Sequence, residues 1–231
     1  MYKKCYNCGI PIQSLEKKHR TKEHIPAKAF FVGYPVEYKD QRETVPACYC
    51  CNQEYAKIDD ELRDVIGFIN NGEPNKTELT KNAVKKVLSN KKQRNDRLSF
   101  ERDGLKITFE LSVLDKLHKK NFKGIFHLIT GQPISEEYLL DVYSDGHDEK
   151  KLDLGFEFLS EIEQMGRWKK SGHSDIFQYE ITYYNFEEEK LYKFEKNIEN
   201  PLFLVCAMKY NNSIVSIVVA IKPEIDEELK T

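Results

Sequence analysis

The sequence predicts an α+β protein, and three observations carry that prediction. Two Cys-x-x-Cys pairs, Cys5/Cys8 and Cys48/Cys51, enclose a stretch with room for two short strands. Behind the second pair, Tyr55, Ile58, Leu62, Val65, Ile66 and Ile69 recur at helical spacing. Alternating apolar segments then crowd the C-terminal third, as antiparallel strands do. At 231 residues the chain is long enough for one large domain or two small ones.

Taken in order, Cys5-Tyr6-Asn7-Cys8-Gly9 is a tight knuckle whose glycine permits the backbone turn. Short strands are expected around Thr21–His24 and Thr44–Pro46, and a helix from Tyr49 to Phe68. Asp59, Asp60 and Glu61 fall on that helix's opposite face. Asn70-Asn71-Gly72-Glu73-Pro74 supplies a stop and sets the expected boundary between an N-terminal unit, 1–72, and a C-terminal α+β region, 73–231. A second helix is expected from Lys76 to about Leu98. Its face of Lys81, Lys85, Lys86, Lys91, Lys92, Arg94 and Arg97 reads equally as a track for a nucleic-acid backbone or as a solvated surface.

Leu105–Leu111 alternates like a strand, and Ser112 opens a third helix with the stripe Val113, Leu117, Ile125, Phe126 and Ile129, closed by Gly131 and Pro133. Further strands are expected around Phe177–Tyr184, Leu191–Phe194, Leu202–Lys209 and Ser213–Ile221. The last two are joined as a hairpin through Asn211-Asn212.

Composition narrows the function classes. The 36 basic and 38 acidic side chains nearly cancel, so no global field draws the molecule to a polyanion and any nucleic-acid affinity must come from local patches. No long apolar run follows the lysines of the first ten residues, and none elsewhere approaches a membrane span, so neither a signal peptide nor a membrane anchor is expected. The expected setting is cytoplasmic and reducing, where six cysteines read as metal ligands rather than disulfides. Cys50 and Cys206 are left over, and Cys206, behind the apolar run from Pro201, is expected to be a buried inert thiol.

Two CxxC pairs about 40 residues apart meet the zinc pattern. Four thiolates at Cys5, Cys8, Cys48 and Cys51 would leave no open position for substrate, so this zinc is expected to be structural. Between the pairs stands Glu23-His24. An imidazole titrates near neutrality, which suits removal of a proton from water. A carboxylate beside it favours a hard divalent ion such as Mg2+ or Mn2+, and Asn52, just behind the second knuckle, offers a neutral oxygen to the same ion. Zinc at Cys48 and Cys51 would fix the helix start, and with it the distance from Asn52 to Glu23 and His24.

The run C-x-x-C, E-H-I-P-A-K-A-F, T-V-P-A-C-x-x-C-N and the downstream Lys57, Asp59 and Leu62-Arg63-Asp64 resembles the four-cysteine branch of the HNH endonucleases, over roughly residues 5–66. The resemblance implies the ββα-metal (His-Me finger) fold. It also implies that His24 is the general base, Glu23 the metal ligand before it and Asn52 the second metal ligand. Many relatives carry an Asn before the second knuckle that orients the base. Glu43 stands nearest that position here, with a backbone carbonyl as the alternative.

The implied chemistry is metal-dependent hydrolysis of DNA phosphodiesters, in a prokaryotic or phage setting such as genome defence. Lys28, Lys57 and Arg63 are candidate phosphate contacts or ordinary solvated charges, and Trp168 is a candidate base-stacking platform or an edge of core. The competing classes are a zinc-stapled nucleic-acid-binding module without catalysis and a zinc-ribbon interaction domain. The C-terminal region is left to choose the substrate, form a homodimer or contact a partner protein.

Overall fold

The computed structural model describes residues 3–32, 34–56, 58–59, 85, 89, 98–101, 104–107, 110–144, 147–212 and 214–224. The fold is α+β. Strand β1 (Arg20–Ile25) pairs antiparallel with β2 (Glu43–Cys48), in a register running from Arg20 opposite Cys48 to Ile25 opposite Glu43. The connection between them is anchored by Phe30 and Phe31, both buried in a single helical turn. Helix α1 follows β2 directly and is helical over 49–56 and 58–59. Of the basic helix expected from Lys76 to about Leu98, residues 85 and 89 are described as helical, and Leu98 is already in a strand. The expected boundary at 72–73 lies outside the described residues.

Strands β3 (Leu98–Glu101) and β4 (Gly104–Ile107) pair with each other. The strand expected to run on to Leu111 ends by Ile107, because Leu111 opens helix α2 (Leu111–Thr130). Ser112 does not cap this helix: Glu110 holds the N-cap position and Ser112 Oγ donates to its carboxylate at 2.8 Å. Gly131 ends it in the left-handed region, φ 72°, its N–H bonded to the His127 carbonyl.

The large sheet has the order β5-β10-β9-β7-β6, with β8 also on β7. Its strands are β5 (Leu139–Ser144), β6 (Lys169–Lys170), β7 (Phe177–Asn185), β8 (Lys190–Lys193), β9 (Phe203–Tyr210) and β10 (Ile214–Ile221). The β9–β10 hairpin turns through Asn211 and Asn212 at φ 51° and 54°, values that asparagine tolerates better than most side chains.

Helix α3 (Glu149–Met165), begun by Asp148 accepting from the Lys151 amide, and strand β5 were not foreseen from the sequence. Their apolar positions are broken by charged residues, so neither period stands out.

Burial along β9 shows why this sheet has two covers. Leu204, Cys206 and Met208 join the main core with α2 and the β1–β2 unit, while Phe203, Val205 and Ala207 join a second cluster with Ile162 of α3. Both faces of the strand are buried, which is why it reads as a continuous apolar run. Cys206 is fully buried, and burial raises its thiol pKa.

Helix α2 lies between the large sheet and the β1–β2 unit, touching β1, β2, β5 and β10. It comes so close to β1 that a Cβ on Gly124 would fall 2.3 Å from Ile25 Cδ1. A single apolar core therefore joins Cys5, Tyr6, Ile25 and Val45 to Leu117, Phe122 and Ile125. Among the described residues no helix is long and apolar enough to cross a membrane.

Candidate metal centre and adjoining cleft

The first knuckle is closed by its own backbone. Cys5 N–H donates to the Ile10 carbonyl at 2.9 Å, Gly9 N–H to the Cys5 carbonyl at 3.0 Å, and Gly9 takes φ 70°. Tyr6 N–H reaches the Pro46 carbonyl at 2.9 Å and fixes the knuckle to β2. Cys48 ends β2 and Cys51 lies in the first turn of α1, so the strand-to-helix junction supplies the other two sulfurs.

All four sulfurs lie within 4.8 Å of one another. Cys8 Sγ and Cys48 Sγ are 3.8 Å apart, close to the edge of about 3.8 Å that a tetrahedron with zinc–sulfur bonds of about 2.3 Å would have. The donor set and spacing fit a zinc ion or a similar soft metal.

The outer groups fit as well. Cys48 N–H points at Cys5 Sγ, and Asn7 Nδ2 at Cys51 Sγ, each at 3.4 Å. Asn7 Oδ1 accepts from Lys123 of α2 at 3.0 Å, which orients the amide for that role. Burial, opposed by the Asn7 amide and reinforced by the neighbouring sulfurs, pushes the Cys51 thiol well above its usual range. A bound cation is what would hold such thiols as thiolates.

The same unit builds a cleft of about 250 Å³ beside this centre. Lys22, Glu23 and His24 of β1, Lys28 behind it, and Asn52, Ala56 and Asp59 of α1 line it. Asn52 Nδ2 points at the Lys22 carbonyl, 3.5 Å away, tying the start of α1 to β1. Glu23 is 5% exposed. Its Oε1 accepts from the His24 amide at 3.2 Å and lies 3.2 Å from Lys120 Nζ, while Oε2 is buried with no hydrogen-bond partner among the described residues.

Lys120 comes from the middle of α2 and is fully buried. Both oxygens of Asp59 accept from its ammonium at 2.7 Å, and the Tyr55 ring lies under it at 5.5 Å.

This pairing corrects the expected helix face. Asp59 does not stand on the side of α1 away from the core but is 6% exposed, turned toward a buried lysine. Burial raises the Glu23 pKa, Lys120 opposes the rise and Asp59 adds to it. His24 is half-buried, and burial together with the cations Lys28, Arg42, Lys120 and Lys22 lowers its pKa to about 4. Its imidazole is therefore neutral near pH 7, the form that can accept a proton.

Glu23, His24, Asn52 and Lys28 are thus brought together, but Glu43 is not. Thr44 stands opposite His24 and Glu43 opposite Ile25. Side chains alternate along strands, so Glu43 shares the face of Ile25 and Glu23 rather than that of His24, and it stands at the end of β2 away from Glu23. It lines a separate recess with Lys169, Tyr179 and Lys193. Lys57 and Arg63 lie outside the described residues. Trp168 has Lys209 Nζ 4.3 Å from its ring centroid and packs on the α3 side of the sheet.

Among the other histidines, His118 and His127 are buried, His147 contacts Ser144, His173 stacks on Tyr38 at 3.9 Å, and His19 lies 6.2 Å from the Tyr49 ring. The residue that sequence reasoning missed is Lys120. It sits three residues after Leu117 and four before Gly124, filling the gap in the apolar stripe of α2, and a lysine in such a gap was the available signal.

The donors in the cleft are hard: a Glu23 carboxylate oxygen without a partner among the described residues and the Asn52 amide oxygen, with the Asp59 carboxylate engaged by Lys120 beside them. Such a set fits Mg2+ or Mn2+ rather than a soft metal. Compared with family models, curated proteins and solved structures, the chain gives no match.

Proposed function

We propose that the protein is a metal-dependent endonuclease of HNH type that hydrolyses phosphodiester bonds in DNA, in a reducing cytoplasm. The observation that carries the reading is the convergence of Glu23, His24 and Asn52 on one cleft, beside a four-cysteine cluster that joins the N-terminal knuckle to the β2–α1 junction. Glu23 and Asn52 would hold a divalent ion. That ion, when bound, supplies positive charge to the phosphoryl and leaving oxygens. The neutral His24 ring takes a proton from water as the oxygen attacks phosphorus. Lys28, on the cleft rim, faces the incoming phosphate. The zinc at Cys5, Cys8, Cys48 and Cys51 does no chemistry and sets the position of Asn52 relative to β1.

Incubating supercoiled plasmid with Mg2+ or Mn2+ tests this directly. Wild type is expected to nick it, and His24→Ala to lose about 10²- to 10⁴-fold in rate, as for removal of a general base, with zinc content unchanged. Full activity in His24→Ala would remove the catalytic assignment.

A second reading, a zinc-stapled nucleic-acid-binding module without catalysis, draws on the Lys120 ammonium, which already neutralises charge in the cleft. It predicts salt-dependent binding and an uncut plasmid under every divalent ion.

A further inference from the structure

Two carboxylates and one lysine are buried together where the proposed ion would bind, and the lysine is not part of the strand–strand–helix unit. Lys120 stands 61 residues beyond Asp59, on a helix that packs between the β1–β2 unit and strands β5 and β10 of the large sheet. Its ammonium engages the two carboxylates unequally. Both Asp59 oxygens accept from it at 2.7 Å, whereas Glu23 offers Oε1 at 3.2 Å and keeps Oε2 buried and without a partner among the described residues. A buried carboxylate oxygen left without a donor is costly, so its retention on a residue lining a cleft points to a ligand that is a cation or a donor.

We propose that Lys120 is a built-in counter-cation of this site. It holds the Asp59 carboxylate and one oxygen of Glu23, leaves Glu23 Oε2 as the oxygen open to a divalent ion, and sets how tightly that ion binds. The inference rests on the ion site of the preceding reading but not on catalysis.

Charge counting gives the physical content. Glu23 and Asp59 carry two negative charges and Lys120 one positive, so the trio presents a net charge of −1 to an incoming ion. Without Lys120 the two carboxylates would repel each other and draw a divalent cation more strongly. With it, affinity is held down and one carboxylate is kept in a fixed place. Lys120 also makes the site depend on α2. Gly124, one turn further along, is pressed against Ile25 of β1, so a shift of the helix over β1 would move the ammonium relative to Glu23.

Mn2+ binding to the zinc-loaded full-length protein, followed by calorimetry or by loss of the free-ion electron paramagnetic resonance signal, tests this without a nucleic-acid substrate. Lys120→Met is expected to bind Mn2+ at least ~10-fold more tightly than wild type, because a like charge next to the ion is removed at low effective dielectric. Asp59→Asn should bind at least ~10-fold more weakly, for the same reason with the sign reversed. The double variant Lys120→Met/Asp59→Asn restores a net charge of −1 and should return close to wild type. Glu23→Gln should abolish binding at this site and so locate the ion.

Zinc content and circular dichroism show which variants fold. If Lys120→Met does not fold, the double variant measured against Asp59→Asn decides the matter. A double variant no tighter than Asp59→Asn overturns the proposal. So does Mn2+ binding that survives Glu23→Gln, that is absent from every variant, or that does not tighten in a folded Lys120→Met. A plasmid left uncut by wild type, together with the expected ladder of affinities, would remove the nuclease reading and leave this one standing.

Discussion

The four-cysteine cluster and the carboxylate cleft lie on the same β1–β2–α1 unit and both draw on α1, yet they are assembled differently. The cluster is built from two short CxxC segments about 40 residues apart, each bringing two sulfurs, and the backbone of residues 5–10 closes the first. The cleft is local in only half of its parts. Glu23, His24 and Asn52 come from the same unit, but the group that balances their charge comes from α2. A cluster of soft donors sits beside a cleft of hard donors, and α2 reaches the first through Asn7 but buries a charge in the second. The difference shows that a cluster of sulfur donors can be read from spacing, whereas the electrostatics of a neighbouring site follow from whatever the core places against it.

Removing the staple should produce the largest effect. Chelation of the metal, or Cys48→Ser, is expected to unfold the β1–β2 unit and expose the core it shares with α2. Structural zinc contributes on the order of 10 kcal/mol in small zinc-bound units. Unfolding followed by circular dichroism, with and without chelator, measures this. A chelated protein with an unchanged transition would break the comparison at its stronger end.

Acid acts on α2 from its other side. His118 is fully buried, its Nδ1 lies 3.2 Å from the Tyr210 hydroxyl, and burial, with a contribution from His147, lowers its pKa to about 3. Above about pH 6.5 the ring is neutral in both the folded and the unfolded chain and contributes no pH dependence. As the pH falls below that, the unfolded chain binds a proton that the folded chain refuses, so stability is lost between about pH 6.5 and about 3. The loss should amount to a few kcal/mol in all, roughly what a shift of this size implies. His118→Gln should flatten the slope relative to wild type, while protonation of the cysteines affects both proteins alike. Equal slopes in denaturant titrations across this range would dismiss the effect.

A smaller effect is expected at the contact between α2 and β1. Gly124→Ala places a Cβ 2.5 Å from Ile25 Cγ1 and should cost about 1–3 kcal/mol, the usual range for overpacking. Ile25→Val in the same chain should recover part of it. The two sites should respond unequally: zinc content is expected to hold while Mn2+ affinity changes, because the helix carrying Lys120 moves and the knuckles do not. Equal disturbance of both would show that the cleft is no more dependent on packing than the cluster.

Much of the secondary structure was legible because its signals are periodic. Strands β7 to β10, the Asn211-Asn212 turn and the Gly131 stop of α2 follow from side-chain alternation and from backbone conformations that few residues adopt. Strand β5 and helix α3 were not legible. Strand β5 has only Val142 and Ser144 buried, and α3 has Gly155 and Ile162 as its buried residues, so neither carries a strong pattern. The expected solvated position of Asp59 failed for a related reason. A carboxylate reads as polar wherever it stands, and a buried one is tolerated when a distant element brings a cation such as Lys120 against it.

The sequence by itself determined the cysteine spacing, the Glu23-His24 pair and the place of Asn52 in the first turn of α1. Each depends on residues close along the chain or on the chemistry of one side-chain type. Tertiary structure alone decided that Glu43 would face away from His24, because strand register sets which face a residue takes. It also decided that Lys120 would fill the buried side of the cleft, because the energy of a buried charge depends on which opposite charges a distant helix brings within about 3 Å.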